Sequence, residues 1–272
     1  MQDKLNYSTS IFHDLTQISN SQPLIHNITN YVAMPFIANA LLAIGASPIM
    51  AHAIDEIEEI IQMAKALVIN IGTLDNYWLQ SMLLAMETAK TIGIPIILDP
   101  VGAGATHFRT EATLKLINKN PPQVIRGNAA EILALGGHLL TYSKGVDSLY
   151  QSEQACEAAK ELAKQYGCTI VISGKEDFII NPTMYYKIAN GIPLMTKITG
   201  MGCTATAIIG AFCSINSDIT LASTYAMAVM GIAGEIAAKQ AVGPATLQMH
   251  FIDTLYNLKE IQIREYLQLT QG

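Results

Sequence analysis

Short aliphatic and β-branched runs alternate along the chain with longer amphipathic or alanine-rich segments, the pattern of β-α units feeding a largely parallel sheet. The predicted core strands are ALVINI (66–71), PIILD (95–99), QVIRG (123–127) and TIVIS (169–173), and each gives way to a polar or glycine-bearing turn. Residues 31–43, 54–64, 77–91, 129–135 and 152–166 carry the helical pattern between them, and the chain from Cys203 onward reads as mostly helix. DFIINPTMYYKIAN (177–190) predicts two short strands joined around Asn181 and Pro182, an antiparallel extension of one sheet edge. There is no internal repeat and no low-complexity linker, and Pro121 and Pro122 mark a loop rather than a boundary. The expectation is a single α/β domain over residues 1–272, with a central, mostly parallel sheet flanked by helices.

Composition adds size and narrows the partners. Half of the 272 residues are apolar and 14% are charged, enough for a large core. Sixteen Lys and Arg against 22 Asp and Glu give a net charge of −6, which argues against nucleic acid and anionic membrane surfaces as partners. The N-terminal segment lacks a basic flank with an apolar signal core, and no run of about eighteen apolar residues escapes polar interruption, so the expected location is the cytoplasm. The four cysteines form no C-x-x-C pair, and His26, His52, His107, His138 and His250 show no metal-binding spacing, so neither a disulfide framework nor a zinc site is expected.

In an open α/β sheet ligands bind beyond the carboxyl ends of the strands, so the strand tips carry the chemistry. Asp99 ends PIILD and is followed by Gly102 and Gly104, which suits a hydrated Mg²⁺ beside phosphates; a tight turn closed by the Asp side chain explains it equally. Arg126 ends an apolar strand, where its fork of donors suits phosphate oxygens. Asn128 and Glu131, three apart, share the face of a first helical turn, so Glu131 either faces the site or closes a capping box with Asn128. Gly200, Met201, Gly202 and Cys203 open a helix. The two glycines let successive N–H groups converge on an oxyanion, or else let the helix pack closely on a neighbour. Cys203 at that terminus is expected to have a lowered pKa, unless it is simply a small buried residue. Asn27, Asn30, Asn39 and Met50 lie around an apolar segment that suits a small pocket with few polar handles.

HNITNYV (26–32), GASPIMA (45–51), LDPVGAGAT (98–106), RGNAAEI (126–132) and GMGCTATA (200–207), in that order, resemble the hydroxyethylthiazole kinases, the thiamine-salvage members of the ribokinase-like superfamily. The resemblance covers nearly the whole chain. It implies a ribokinase-like fold and transfer of a phosphoryl group from ATP, with Mg²⁺, to the hydroxyl of 4-methyl-5-(2-hydroxyethyl)thiazole. Arg126 and Ser173 would then contact ATP, Asp99 and Glu131 would organise Mg²⁺ and phosphates, and Met50 with Gly200 would contact the thiazole. Cys203 would stand where sugar-kinase relatives place a proton-accepting Asp. The resemblance also implies a homotrimer whose pocket lies between subunits, so that Asn30 and Met50 serve a neighbour's site. Ser173 stands where Thr is common, with Lys175 nearby, a departure from the family pattern. The rival activities are an ATP-dependent dehydratase of hydrated nicotinamide cofactors on the same fold, which shares only the N-x-x-E and anion-binding regions, and a non-catalytic thiazole or thiamine binder.

Overall fold

A computed structural model describes residues 2–137 and 148–272. In chain order the elements are α1 (Gln2–Ser21), β1 (Leu24–Ile28), α2 (Met34–Ala43), β2 (Ser47–Ile49), α3 (Ile57–Met63), β3 (Ala66–Asn70), α4 (Asn76–Ile92) and β4 (Ile96–Asp99). There follow α5 (His107–Lys119), β5 (Val124–Asn128), α6 (Ala129–Leu135), α7 (Ser148–Tyr166), β6 (Thr169–Ser173), β7 (Asp177–Ile180) and β8 (Tyr185–Ile188). A 3₁₀ turn (Pro193–Lys197) precedes α8 (Met201–Cys213), α9 (Ile219–Ala238), α10 (Pro244–Asn257), α11 (Glu260–Tyr266) and β9 (Leu269–Gln271).

The strands form one sheet in the order β2-β1-β3-β4-β5-β6-β7-β8-β9. Pairing is parallel from β2 to β6 and antiparallel from β6 to β9. The chain therefore leaves β1 toward β2 on one side and returns to β3 on the other, which makes the gap beyond β1 and β3 a topological switch point. β3 shows why the sheet is central: all five of its residues are buried, with Ala66 and Val68 facing one apolar layer and Leu67 and Ile69 the other. The first layer is filled from α1, α2, α8, α9, α10 and α11, and the second from α3 to α7.

The four predicted core strands and the hairpin around Asn181 lie where the apolar runs place them. Four elements rest on weaker signals. α1 is rich in Ser, Thr, Asn and Asp, which favour turns, yet Ile11, Leu15 and Ile18 recur at helical spacing and are buried. β1 carries His26 and Asn27, both fully buried, which break its apolar run. α5 and the short edge strand β9 have no long apolar pattern of their own. The helix expected from residue 31 starts at Met34 after a turn, and that expected from residue 54 starts at Ile57. α9 is long and apolar enough to cross a membrane by length and composition, but 78% of its most apolar window is buried inside the protein, where it serves as a core helix.

α8 crosses the middle of the sheet at close range. A Cβ on Gly210 would lie 2.7 Å from Val68 Cγ2, so only glycine permits the approach. Gly210→Ala is expected to destabilise the fold by about 1–3 kcal/mol, the usual cost of overpacking a tight core, as read from the midpoint of chemical denaturation.

Candidate active site

Beyond the strand tips, an ordered set of polar side chains crosses the sheet from β1 to β7. Asn30, two residues past β1, donates from Nδ2 to Asn70 Oδ1 (2.8 Å) and to Cys203 Sγ (3.3 Å). Asn70, at the end of β3, donates to Asp99 Oδ2 (2.7 Å), and Thr206 of α8 donates to the same oxygen (2.9 Å). Arg126 Nη1 lies 3.9 Å from Asp99 Oδ2, and Arg126 Nη2 donates to Ser173 Oγ (2.5 Å). Ser173 in turn donates to the Gly127 carbonyl (3.4 Å). The parallel register of β5 with β6 sets Asn128 beside Ser173 and brings the two tips level.

The start of α8 closes this crevice. Gly200 has φ +81°, a left-handed conformation natural to glycine, and a Cβ there would meet Ala33 Cβ at 3.0 Å. No side chain caps the helix, and Thr204, which donates to the Gly200 carbonyl (2.8 Å), is the first residue in the helical ladder. The N–H groups of Met201, Gly202 and Cys203 are therefore without partners inside the helix. The Arg126 guanidinium lies against this terminus, since a Cβ on Gly202 would come 2.6 Å from Nη1. A cation thus adjoins the positive end of a helix, an arrangement that an anion between them relieves. The buried Nε of Arg126 and Oδ1 of Asp99 have no hydrogen-bond partner within the protein, so both remain open to a ligand.

The expected residues take distinct places. Asp99 is 1% exposed, and burial, with the Glu131 carboxylate nearby, outweighs the attraction of Arg126 and raises its pKa to about 6. Glu131 closes the capping box: Oε2 accepts from Asn128 N–H (2.8 Å), and Asn128 Oδ1 accepts from Glu131 N–H (3.0 Å). Its other oxygen accepts from Gly102 N–H (2.8 Å), so the cap also ties down the loop after Asp99. The capping-box alternative for Glu131 is therefore the one the hydrogen bonds show. Asn30 is 5% exposed and commits both amide hydrogens inside the protein, with none left to donate to a ligand. Met50 follows edge strand β2 and packs, with Cys203, on the α2 and α8 side of the core. Cys203 corrects an expectation: its pKa is raised, not lowered, because burial and the Asp99 carboxylate prevail over the Asn30 and Asn70 N–H groups and the Arg126 charge. Among the described residues no three His, Cys, Asp or Glu side chains cluster as metal ligands; His138 lies outside them.

Four participants were missed in the sequence. Asn70 ends an apolar run just as Asp99 does, and that signal was available. Thr206 is hidden in a small-residue stretch. Arg109, in the first turn of α5, donates to the carbonyls of Ile71 (3.0 Å), Gly72 (2.7 Å) and Val101 (2.6 Å), pinning the loop after β3 to the loop after β4. Asp177 opens β7, is 8% exposed and accepts from Gly174 N–H (3.0 Å), fixing the turn after Ser173.

Comparison with known proteins follows the same order, from fold to family. The chain aligns with a ribokinase-like superfamily protein from Enterococcus faecalis (TM-score 0.61, 15% identity, 87% of each chain). It also aligns with a pyridoxal kinase from Staphylococcus aureus (TM-score 0.65, 16% identity, 92% of this chain and 98% of that one). At such identities the likeness establishes a ribokinase-like fold. Residues 15–261 match the model of the hydroxyethylthiazole kinase family, and the chain belongs to that family. It is 53% identical to the hydroxyethylthiazole kinase of Syntrophus aciditrophicus over 255 residues, 94% of each chain. It is 50% identical to that of Leptospira biflexa over 93% of this chain and 95% of the relative. The structure of the hydroxyethylthiazole kinase protein of Pyrococcus horikoshii superposes with a TM-score of 0.89 at 39% identity, covering 97% and 99% of the two chains. By family, then, the chain is an enzyme, a kinase.

Asp177 supplies a pH test. Burial raises its pKa to about 6, ahead of the opposing pull of Gly174 N–H and Arg126. Because this lies above the value of an unfolded Asp, the native state takes up the proton first. The ionised form then costs stability above pH 6, and the cost disappears as pH falls through about 6 toward 4. Asp177→Asn is expected to be more stable than the parent by about 1–3 kcal/mol at pH 8 and equal to it near pH 4, as measured by denaturation at both values.

Proposed function

We propose that the protein transfers the terminal phosphoryl group of ATP to the hydroxyl of 4-methyl-5-(2-hydroxyethyl)thiazole, giving the phosphate ester and ADP. Family membership supports the acceptor. The observation that carries the chemistry is the uncapped start of α8 with the Arg126 guanidinium laid against it. Phosphoryl transfer asks mainly for positioning and for donors aimed at the developing charge, and three free N–H groups beside a guanidinium supply them. In this reading Arg126 and Ser173 hold ATP, and Gly200, Met201, Gly202 and Cys203 cradle the transferring group. Met50 and Gly200 border the thiazole.

The residues present fit Mg²⁺. Asp99 Oδ1 is buried without a partner, and Glu131 keeps spare lone pairs beyond its two backbone donors, a pair of carboxylates of the kind that holds a hydrated Mg²⁺ beside phosphates. Asp99 and Glu131 would hold the ion, which would supply neutralisation of phosphate charge. Cys203, its thiol kept protonated by burial, accepts a hydrogen bond from the substrate alcohol and orients it; as the alcohol oxygen bonds to phosphorus and the bond to the ADP oxygen breaks, the hydroxyl proton passes to solvent water. A loose transition state asks for little more from a base.

We place the enzyme in the cytoplasm as a homotrimer with shared pockets. Exposed Tyr31 (60%) and Val32 (62%), next to Asn30, and Tyr77 (47%) support a subunit contact at this edge. Sedimentation is expected to give three copies per particle; an active monomer would contradict the shared pocket.

ADP release on mixing the protein with Mg²⁺, ATP and a panel of alcohols tests the reaction. The thiazole alcohol should react stoichiometrically and ribose hardly at all; equal rates would overturn the assignment. Gly202→Ala tests the anion cradle: the guanidinium is the movable end of Arg126, so stability should shift by no more than about 1 kcal/mol while ATP affinity falls about 10- to 100-fold. Cys203→Ala is expected to lower kcat about 10- to 100-fold with the KM for the thiazole little changed, since it removes an orienting group and not a strong base.

A further inference from the structure

The direction of every hydrogen bond between Cys203 and Asp99 is fixed by two backbone donors. Ala33 N–H donates to Asn30 Oδ1 (2.9 Å), and Gly72 N–H donates to Asn70 Oδ1 (3.0 Å). A backbone N–H can only donate, so in both side chains the oxygen is identified and the nitrogen must face the other way. Asn30 therefore donates to Cys203 Sγ and to Asn70 Oδ1, and Asn70 donates to Asp99 Oδ2. The two amides span the switch point between β1 and β3 and form a one-way relay.

The relay settles two features of the site. Asp99 Oδ2 receives Asn70 and Thr206, which turns the unpartnered Oδ1 toward the ligand side. Cys203 receives an N–H on sulfur, so its own S–H is not spent on this contact and any negative charge developing on sulfur is favoured. Asn30 has no spare amide hydrogen, Asn70 also hydrogen-bonds the Cys203 thiol, and Gly72 leaves no room for Asn30 to swing: a Cβ there would meet Asn30 Nδ2 at 2.8 Å.

We infer that Asn70 is a positioning residue for phosphoryl transfer, and that through Asn30 it sets the Cys203 thiol and the Asp99 carboxylate as one unit. The inference rests on the kinase reading for its effect on turnover, but not for its effect on the thiol. The test therefore has two arms. In Asn70→Leu, which removes the donor to Asp99 and the acceptor of Asn30, kcat is expected to fall about 30- to 1,000-fold, with the KM values for ATP and the thiazole within about threefold of the parent. Without ATP or Mg²⁺, alkylation of Cys203 by iodoacetamide, followed at that peptide by mass spectrometry, is expected to slow about 3- to 10-fold.

Slowed alkylation with unchanged turnover leaves the relay standing and removes the catalytic roles of Cys203 and Asp99. Unchanged alkylation in a folded Asn70→Leu overturns the relay, whatever happens to turnover. If Asn70→Leu does not fold, Asn70→Asp keeps the acceptor for Asn30 and Gly72 and sets an acceptor against Asp99. It should lose turnover similarly, and parent-like turnover in it would overturn the inference. The double variant Asn70→Asp with Asp99→Asn restores the bond in the reverse direction; alkylation should return to within about twofold of the parent while turnover stays low. A double variant no faster in alkylation than Asn70→Asp also overturns it.

Discussion

The meeting of Arg126 with the start of α8 governs the rest of the site. A guanidinium and a helix N-terminus repel, and in an apo protein the pair is tolerated only because Asp99 lies close by, buried and short of partners. Each of these three groups is poorly satisfied alone, and in the proposed reaction each would be satisfied by a phosphate and its cation. Both charges are held at the site: Arg126 donates to Ser173 on the adjacent strand, and Asp99 is gripped by Asn70 and Thr206. The binding energy of the ligand is thus prepared during folding, as unfavourable electrostatics held in place by hydrogen bonds.

How much of this could be read in the sequence depends on whether a residue's partners are near in sequence. The strand tips announced themselves because an apolar run that stops at Asp99 or Ser173 puts that side chain at the sheet's carboxyl edge; Arg126, expected to end its strand, lies two residues inside β5 and reaches Ser173 with its long side chain. The capping box of Asn128 and Glu131 is local and equally legible. What it could not reveal is the third bond of Glu131, to Gly102, which depends on how β4 and β5 sit side by side. Likewise the raised pKa of Cys203 follows from burial and from Asp99, 104 residues earlier in the chain, while the local signal, a helix N-terminus, pointed the other way. Strand β1 was obscured because two of its five residues are polar yet fully buried; His26 and Asn27 look like a turn until their surroundings are known.

Several residues serve fold and site together. Glu131 caps α6 and restrains the loop beyond Asp99; Arg109 belongs to α5 yet ties two strand-tip loops through three carbonyls; Asp177 begins β7 and shapes the turn after Ser173. In each case backbone N–H and C=O groups that the strand ends leave unpaired are answered by a charged side chain. The loops beyond the strand tips are tied to their neighbours by side chains as well as by their own backbone.

The central helix α9 has a consequence for how the protein is made. Its Ile219–Ala238 surface is covered by α8 and strands β6 to β8, made before it, and by α10, whose Leu247, Phe251 and Leu255 join the same core, with Ile263 of α11, made after it. On the ribosome a helix of membrane-like composition therefore emerges before its cover is complete. For that interval the nascent enzyme presents cellular sorting and quality-control factors with a segment they can mistake for a membrane anchor, and a chain cut short within α10 would never cease to present it.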